Sequence, residues 1–331
     1  MGPSSGYSAN MRSIVTVLFA ALFLTMPNVV RAQTQAPLFV NYAAINANML
    51  NLWIGKEANY FAEEGLDVRI LHVSGGSLGV QLLVSGQTPI GLVGATAIAN
   101  AYLQGSKDLV MIGGVTNLMA YVLASKPEIQ SAAQIKGKTL AVSRFGSTAD
   151  FVAEYALRQM GLQKTDVTMI QIGTEGDRLA AMQRGDIQLS VFTPTFVPAL
   201  KKTGMRVLLD LEERKVPYLL AGYATSRTYL GRERASTVKF MRGIIKSIKR
   251  IKTDRPFAEK VLAQYIKNDD KELLRLALDQ QVRILPDLPY APEEGMKTIL
   301  EDLGRTLPDA RKLQPAALID ASVVRDAAKG F

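Results

Sequence analysis

Hydrophobic and polar positions along the chain follow two rhythms. Short runs rich in β-branched residues read as strands: Leu38–Tyr42, Asp67–Val73, Ile90–Val93, Thr139–Val142, Asp166–Ile172 and Ile187–Phe192. Between them apolar residues recur at helical spacing, as in Leu78–Ser85 and Leu179–Arg184. Beyond about Ser226 the helical rhythm takes over. Ala235–Lys252 places Val238, Met241, Ile244, Ile245, Ile248 and Ile251 on one face, with Lys239, Arg242, Lys246, Lys249, Arg250 and Lys252 on the other. The basic positions read as a solvated face. Further helices are predicted at 256–267, 270–284, 292–304 and 316–328, with Pro286, Pro289 and Pro292 marking a turn.

The strand–helix alternation repeats. Asp67-Val68, Gly86, Thr96 and Gly105 recur 99 residues later as Asp166-Val167, Gly185, Thr195 and Gly204. The period is too long for a solenoid and suits two similar lobes. Alternating strands and helices predict an α/β fold with parallel sheets covered by helices on both faces. Ligands in such sheets sit outside the carboxyl ends of the strands. That rule directs attention to residues 42–48, 74–77, 94–97, 116–118, 143–148, 173–177 and 193–196.

The start of the chain reads as an address. Met11-Arg12, the apolar run Ile14–Met26, Pro27 and Val30-Arg31-Ala32 have the order of a signal peptide cleaved after Ala32. Residues 1–10 read as an extension ahead of Met11. Cleavage removes Arg12 and Arg31 and no acid. The expected product is an exported, periplasmic protein.

Composition narrows the chemistry. The 331 residues include no Cys and one His, with 39 Lys and Arg against 30 Asp and Glu. This excludes disulfides, thiolate metal sites, a Cys nucleophile and multi-His metal sites. No metal and no cofactor are expected. The net charge of +9 reads as a basic surface, and nucleic acid is not expected.

Several loops offer ligand chemistry. Ser143–Asp150 joins a strand to a helix, and Ser147-x-x-Asp150 has capping-box form. Its helix start, with Ser147, Thr148 and Arg144, suits a sulfonate, phosphate or carboxylate. Plain capping explains the same residues equally well. Ser74-Gly75-Gly76-Ser77 occupies the matching place in the first lobe, where glycines permit close backbone approach. Thr174-x-x-Asp177 reads as a structural cap. Thr193 and Thr195 end a strand with two hydroxyls, while Tyr42, Asn46 and Asn48 follow the first strand. Tyr42 serves core packing equally well. Gly75-Gly76-Ser77-Leu78-Gly79 also matches the hydrolase motif G-x-S-x-G. The sole His, His72, precedes Ser77 by five residues in the same strand, which argues against Ser77 as a nucleophile.

Taken in order, these pieces resemble a family. Leu52–Glu57 runs into Tyr60–Val68; Gly75-Gly76 precedes a helix ending Ser85-Gly86-Gln87. Ile135-Lys136-Gly137-Lys138-Thr139, Phe145-Gly146-Ser147 and Leu157–Leu162 follow. The chain is thus similar to the substrate-binding proteins of ABC importers for sulfonates, taurine, nitrate and thiamine-pyrimidine precursors. The resemblance implies a type II binding-protein fold. Lobe one would comprise 36–123 and 225–331, and lobe two 124–224, with hinge crossings near Ala124 and Tyr223. It implies a small organic ligand, anionic in the sulfonate and nitrate members, held between the lobes. By position its contacts would come from Tyr42, Asn46, Ser74, Gly75, Gly76, Ser77, Thr96, Thr116, Arg144, Gly146, Ser147, Thr148, Thr193 and Thr195. It further implies a monomeric receptor that docks on an ABC permease and its ATPase. Some relatives in pyrimidine synthesis are enzymes. Where sulfonate-type members carry an aromatic and an acid, this chain has Phe192-Thr193-Pro194-Thr195.

Overall fold

Two sheets of identical strand order account for the repeat. The computed structural model describes residues 1–2 and 36–331, and the fold below concerns Pro37–Phe331. The signal-peptide segment lies outside the described residues. The first stretch runs β1 (Leu38–Tyr42), a 3₁₀ turn (Ala47–Met49), α1 (Leu50–Glu57), α2 (Tyr60–Glu63) and β2 (Val68–His72). It continues through α3 (Gly76–Val84), β3 (Ile90–Val93), α4 (Ala95–Leu103) and β4 (Leu109–Leu118). The second stretch holds β5 (Val122–Ser125), α5 (Ala132–Ile135), β6 (Thr139–Val142), α6 (Thr148–Gln159) and β7 (Thr168–Gln171). Then come α7 (Glu175–Arg184), β8 (Leu189–Phe192), a 3₁₀ turn (Pro194–Phe196), α8 (Val197–Lys202) and β9 (Arg206–Asp210). The remainder is β10 (Pro217–Ser226), α9 (Arg227–Arg232), α10 (Arg234–Thr253), α11 (Arg255–Ile266), α12 (Lys271–Ile284), α13 (Glu293–Leu303) and α14 (Ser322–Ala327).

Strand order is β2-β1-β3-β10-β4 in the first sheet and β7-β6-β8-β5-β9 in the second. In each, the first three strands are parallel and the fourth runs antiparallel to both neighbours. The antiparallel strand is what each lobe receives from the other side of a crossing. The chain passes between sheets at residues 119–121 and again at 211–216. The crossings expected at Ala124 and Tyr223 therefore shift. Ala124 pairs with Ser190 inside β5, and Tyr223 pairs with Leu92 inside β10. Both carry the apolar pattern of buried strands, which hides a boundary one strand away.

The helical remainder covers the first sheet. Met241, Ile244, Ile245, Ile248 and Ile251 of α10 are buried, each Ile contributing roughly 1.5–3 kcal/mol. Phe240 stacks on Phe61 with centroids 5.0 Å apart. The basic face of α10 is partly paired: Lys246 meets Glu63 and Glu64, and Lys252 meets Asp287. Asp254 and Asp270 cap α11 and α12. The single helix expected over 316–328 is instead a 3₁₀ turn (Pro315–Leu318) followed by α14. Among the described residues no helix is long and apolar enough to cross a membrane.

Candidate functional site

The strand ends of both sheets converge on one cavity of about 60 Å³. Residues 43–46, 48 and 49 follow β1, Ser74–Gly76 follow β2, and Gly94 follows β3. From the second lobe come Ser143 and Ser147–Ala149 after β6, and Gly173–Glu175 after β7, joined by Arg178. Tyr121, in the first crossing, and Leu220 and Ala221 of β10 complete the wall.

The two lobes present their helix starts differently. Gly75 precedes α3 at φ 94°, and Gly94 precedes α4; neither helix has a side-chain cap. The positive φ at Gly75 is one that glycine adopts without steric cost. The first N–H groups of α3 and α4 thus keep their positive dipole ends uncovered by side chains. A Cβ on Gly94 would lie 1.8 Å from the Thr148 hydroxyl, so glycine there leaves room for Thr148 of the second lobe.

Lobe two caps itself. The Ser147 hydroxyl donates to Arg144 C=O at 2.6 Å and accepts from Asp150 N–H at 3.4 Å. The Asp150 carboxylate accepts from Gly146 N–H at 2.8 Å. Burial raises the Asp150 pKa, with that N–H and Lys164 pulling the other way. Thr174 and Asp177 form a full capping box at α7, and the Thr174 hydroxyl and N–H hold the Asp177 pKa low.

Two buried charges from α7 face this cavity. Glu175 accepts from Thr193 N–H at 2.5 Å and from the Thr193 hydroxyl at 2.9 Å through Oε1. Its Oε2 accepts from Asn46 Nδ2 of the other lobe at 2.6 Å. Arg178 is 1% exposed. Its Nε donates to Ser190 Oγ at 2.9 Å, Nη1 to Gly173 C=O at 2.8 Å and Nη2 to Val191 C=O at 3.1 Å. The guanidinium thereby ties the ends of β7 and β8 together. Burial lowers its pKa. Burial also raises the Tyr121 pKa, Glu175 adding to the rise and Arg178 opposing it, so the phenol enters the cavity neutral.

Of the positions read from sequence, Asn46, Ser74, Gly75, Gly76, Ser147 and Thr148 line the cavity. Arg144 bridges the lobes at its edge, Nε donating to Ser74 C=O at 2.7 Å. The others stand elsewhere. Tyr42 packs in the core, 5.8 Å from Trp53 and 5.3 Å from His72 between ring centroids. Thr116 is buried and donates to Asn48 Oδ1 at 3.1 Å, fixing a cavity residue without lining it. Thr96 hydrogen-bonds Tyr218 and, with Gly146, borders a separate crevice. Thr193 is taken by Glu175, and Thr195 by Thr193. Ser77 occupies the second position of α3, in ordinary helix, whereas a nucleophile elbow needs it at the strained apex. Glu175, Arg178 and Tyr121 were not singled out by the sequence. Glu175 and Arg178 did carry a signal: they share the buried face of α7 with Leu179 and Met182.

Residues 46–255 match the NMT1/THI5 like family. YtlA of Bacillus subtilis (strain 168), provisionally named a binding protein, is 27% identical over 203 residues, covering 59% of this chain. The match spans 60% of that relative's length. A solved protein from Bordetella bronchiseptica RB50 superposes with a TM-score of 0.81 at 20% identity, covering 89% of this chain and 98% of that one. The alkanesulfonate-binding protein SsuA from Xanthomonas axonopodis pv. citri, solved with MOPS bound, gives 0.71 at 19%, covering 87% and 99%. The fold also occurs in the desulfurization enzyme DSZB, with a TM-score of 0.60 at 14% identity and coverage of 88% and 99%. With the family model matched over more than half of the chain, the chain belongs to the NMT1/THI5 like family.

Proposed function

We propose that this protein is an extracytoplasmic receptor that captures a small organic solute between its lobes and delivers it to an ABC permease. The carrying observation is the cavity itself, walled by strand ends of two sheets that are joined by only two crossings. Residues 119–121 and 211–216 would act as the hinge. The lobes would be 36–118 with 217–331, and 122–210. Asn46 with Glu175, Arg144 with Ser74, and Arg158 with Asp302 at 2.5 Å join the lobes here and would form on closure. The ligand's polar group would meet the uncapped starts of α3 and α4, where N–H groups are fixed before binding and cost little further ordering. Export would follow cleavage after Ala32.

The fold alone does not decide between capture and catalysis. The side chains favour capture. Among the described residues, Ser77 has no hydrogen bond to His72, and His72 Nε2 is buried without a partner. The test is native mass spectrometry of protein isolated from the periplasm, with small-angle scattering before and after ligand removal. A released small molecule and an expansion on its removal are expected. Identical native and denatured masses with an invariant radius overturn the receptor reading. Ester turnover abolished by Ser77→Ala would establish the hydrolase instead.

A further inference from the structure

The cavity at the strand ends is the smaller of two adjoining spaces. Its free volume is about 60 Å³. Ligand pockets usually run to roughly 300–1,000 Å³. A second chamber of about 330 Å³ adjoins it. The two share Ile45, Asn46 and Thr174 as lining, so they meet at the Asn46–Glu175 hydrogen bond.

The chamber is built differently from the cavity. Leu179, Phe196 and Ala199 line it from lobe two, and Leu262, Ile266 and Leu273 from lobe one. Its wall from α11 and α12 comes from the helical remainder, outside the repeated part of the fold. Asn46, Thr174, Thr195 and Asn268 add polar groups, but most of the wall is apolar and offers area to be removed from water. Resting on the receptor reading, we infer that the ligand is amphipathic. Its polar group sits among the strand ends, and its apolar arm passes Asn46 into the chamber between α7–α8 and α11–α12. The chamber then sets which arm lengths are accepted. Phe192-Thr193-Pro194-Thr195 fits this arrangement. Thr193 serves Glu175, and Thr195 and Phe196 turn toward the chamber.

The probe is a series of linear alkanoates from acetate to decanoate, measured by titration calorimetry on the mature protein freed of co-purified ligand. Each added methylene buries roughly 0.8 kcal/mol of transfer free energy. Affinity is therefore expected to rise about fourfold per methylene until the chamber is full. Ala199→Phe fills the chamber from α8 and should flatten the rise. Leu273→Ala should extend the rise to longer chains. Binding that does not depend on length, or a rise that Ala199→Phe leaves intact, overturns the chamber assignment but leaves the receptor reading standing. No binding by any member overturns the assignment. Paired with no co-purified ligand, it also removes the receptor reading.

Discussion

The two lobes share strand order but not the chemistry of their helix starts. In lobe one α3 and α4 begin at Gly75 and Gly94, with no side chain on the first N–H groups. In lobe two α6 and α7 begin at Ser147 and Thr174, and Asp150 and Asp177 lie over those starts. One half keeps its donors available, and the other uses its own hydroxyls and carboxylates. The difference teaches that a repeated scaffold can divide labour: donors from one lobe, rigidity and closure from the other. Capping by side chains contributes about 0.5–2 kcal/mol to a helix. Lobe one forgoes that contribution at the places a ligand's polar group would approach.

The sharpest way to break this comparison is to remove the rigid element of lobe two. Arg178→Met deletes donors to Gly173, Val191 and Ser190 in a buried setting. Hydrogen bonds to charged groups contribute roughly 1.5–3 kcal/mol each, so a stability loss of at least about 3 kcal/mol is expected by urea denaturation. Arg178→Lys should fail to restore it, because an ammonium cannot span the same fork of acceptors. A loss under about 1 kcal/mol would show that Arg178 does not hold the strand ends.

Next in size is the contact between lobes. Gly94→Ala places a Cβ against Thr148 and 3.0 Å from the Leu220 carbonyl oxygen. Overpacking typically costs 1–3 kcal/mol, which corresponds to roughly 5- to 150-fold weaker capture of the co-purified ligand. The clash with Thr148 crosses between lobes, so scattering should also report a more open average shape. Undiminished affinity would mean that the lobes close along a different surface.

How much of this was legible beforehand depends on what each residue's signal encodes. The repeat was legible because it rests on strand-end glycines and β-branched runs; β1, β3 and β6 fall on the expected residues. Gly75-Gly76 was legible for the same reason. That Tyr42 and Thr116 stand away from the cavity was not legible, because sequence places a residue near a strand end without saying which side of the sheet it faces; Thr96, in the first turn of α4, turns to Tyr218. Arg178 and Glu175 were missed because Thr174-x-x-Asp177 drew the reading to the cap. The face of α7 beside it, with two charges among apolar residues, held the stronger signal. The crossings were displaced because 119–121 continues the apolar run of its neighbouring strands. The chamber had no signature at all, since its walls lie more than sixty residues apart in the chain.

A smaller effect separates the two kinds of helix start directly. Ser147→Ala should cost about 1 kcal/mol, or roughly 2–4 °C in Tm, through the lost cap. Ser77→Ala, at the second position of a helix already without a side-chain cap, should leave Tm almost unchanged. Equal shifts in calorimetry would erase the distinction between the lobes.

The smallest expected effect is a pH dependence that links them. His72 ends β2 in lobe one, beside Tyr42, and burial lowers its pKa below 6.5. Asp177, in lobe two, opposes that shift. The sign follows from linkage: between the folded pKa and 6.5 the unfolded chain binds more protons at this site, so stability rises with pH there. His72 thus contributes fully above 6.5, and its contribution is lost as pH falls through that value toward the folded pKa. His72→Gln should flatten the slope of stability against pH below 6.5, and Asp177→Asn should steepen it. NMR titration of the single imidazole reads the same shift without unfolding the protein. A His72 pKa at or above 6.5 in the folded protein would remove both the slope and its dependence on the opposite lobe.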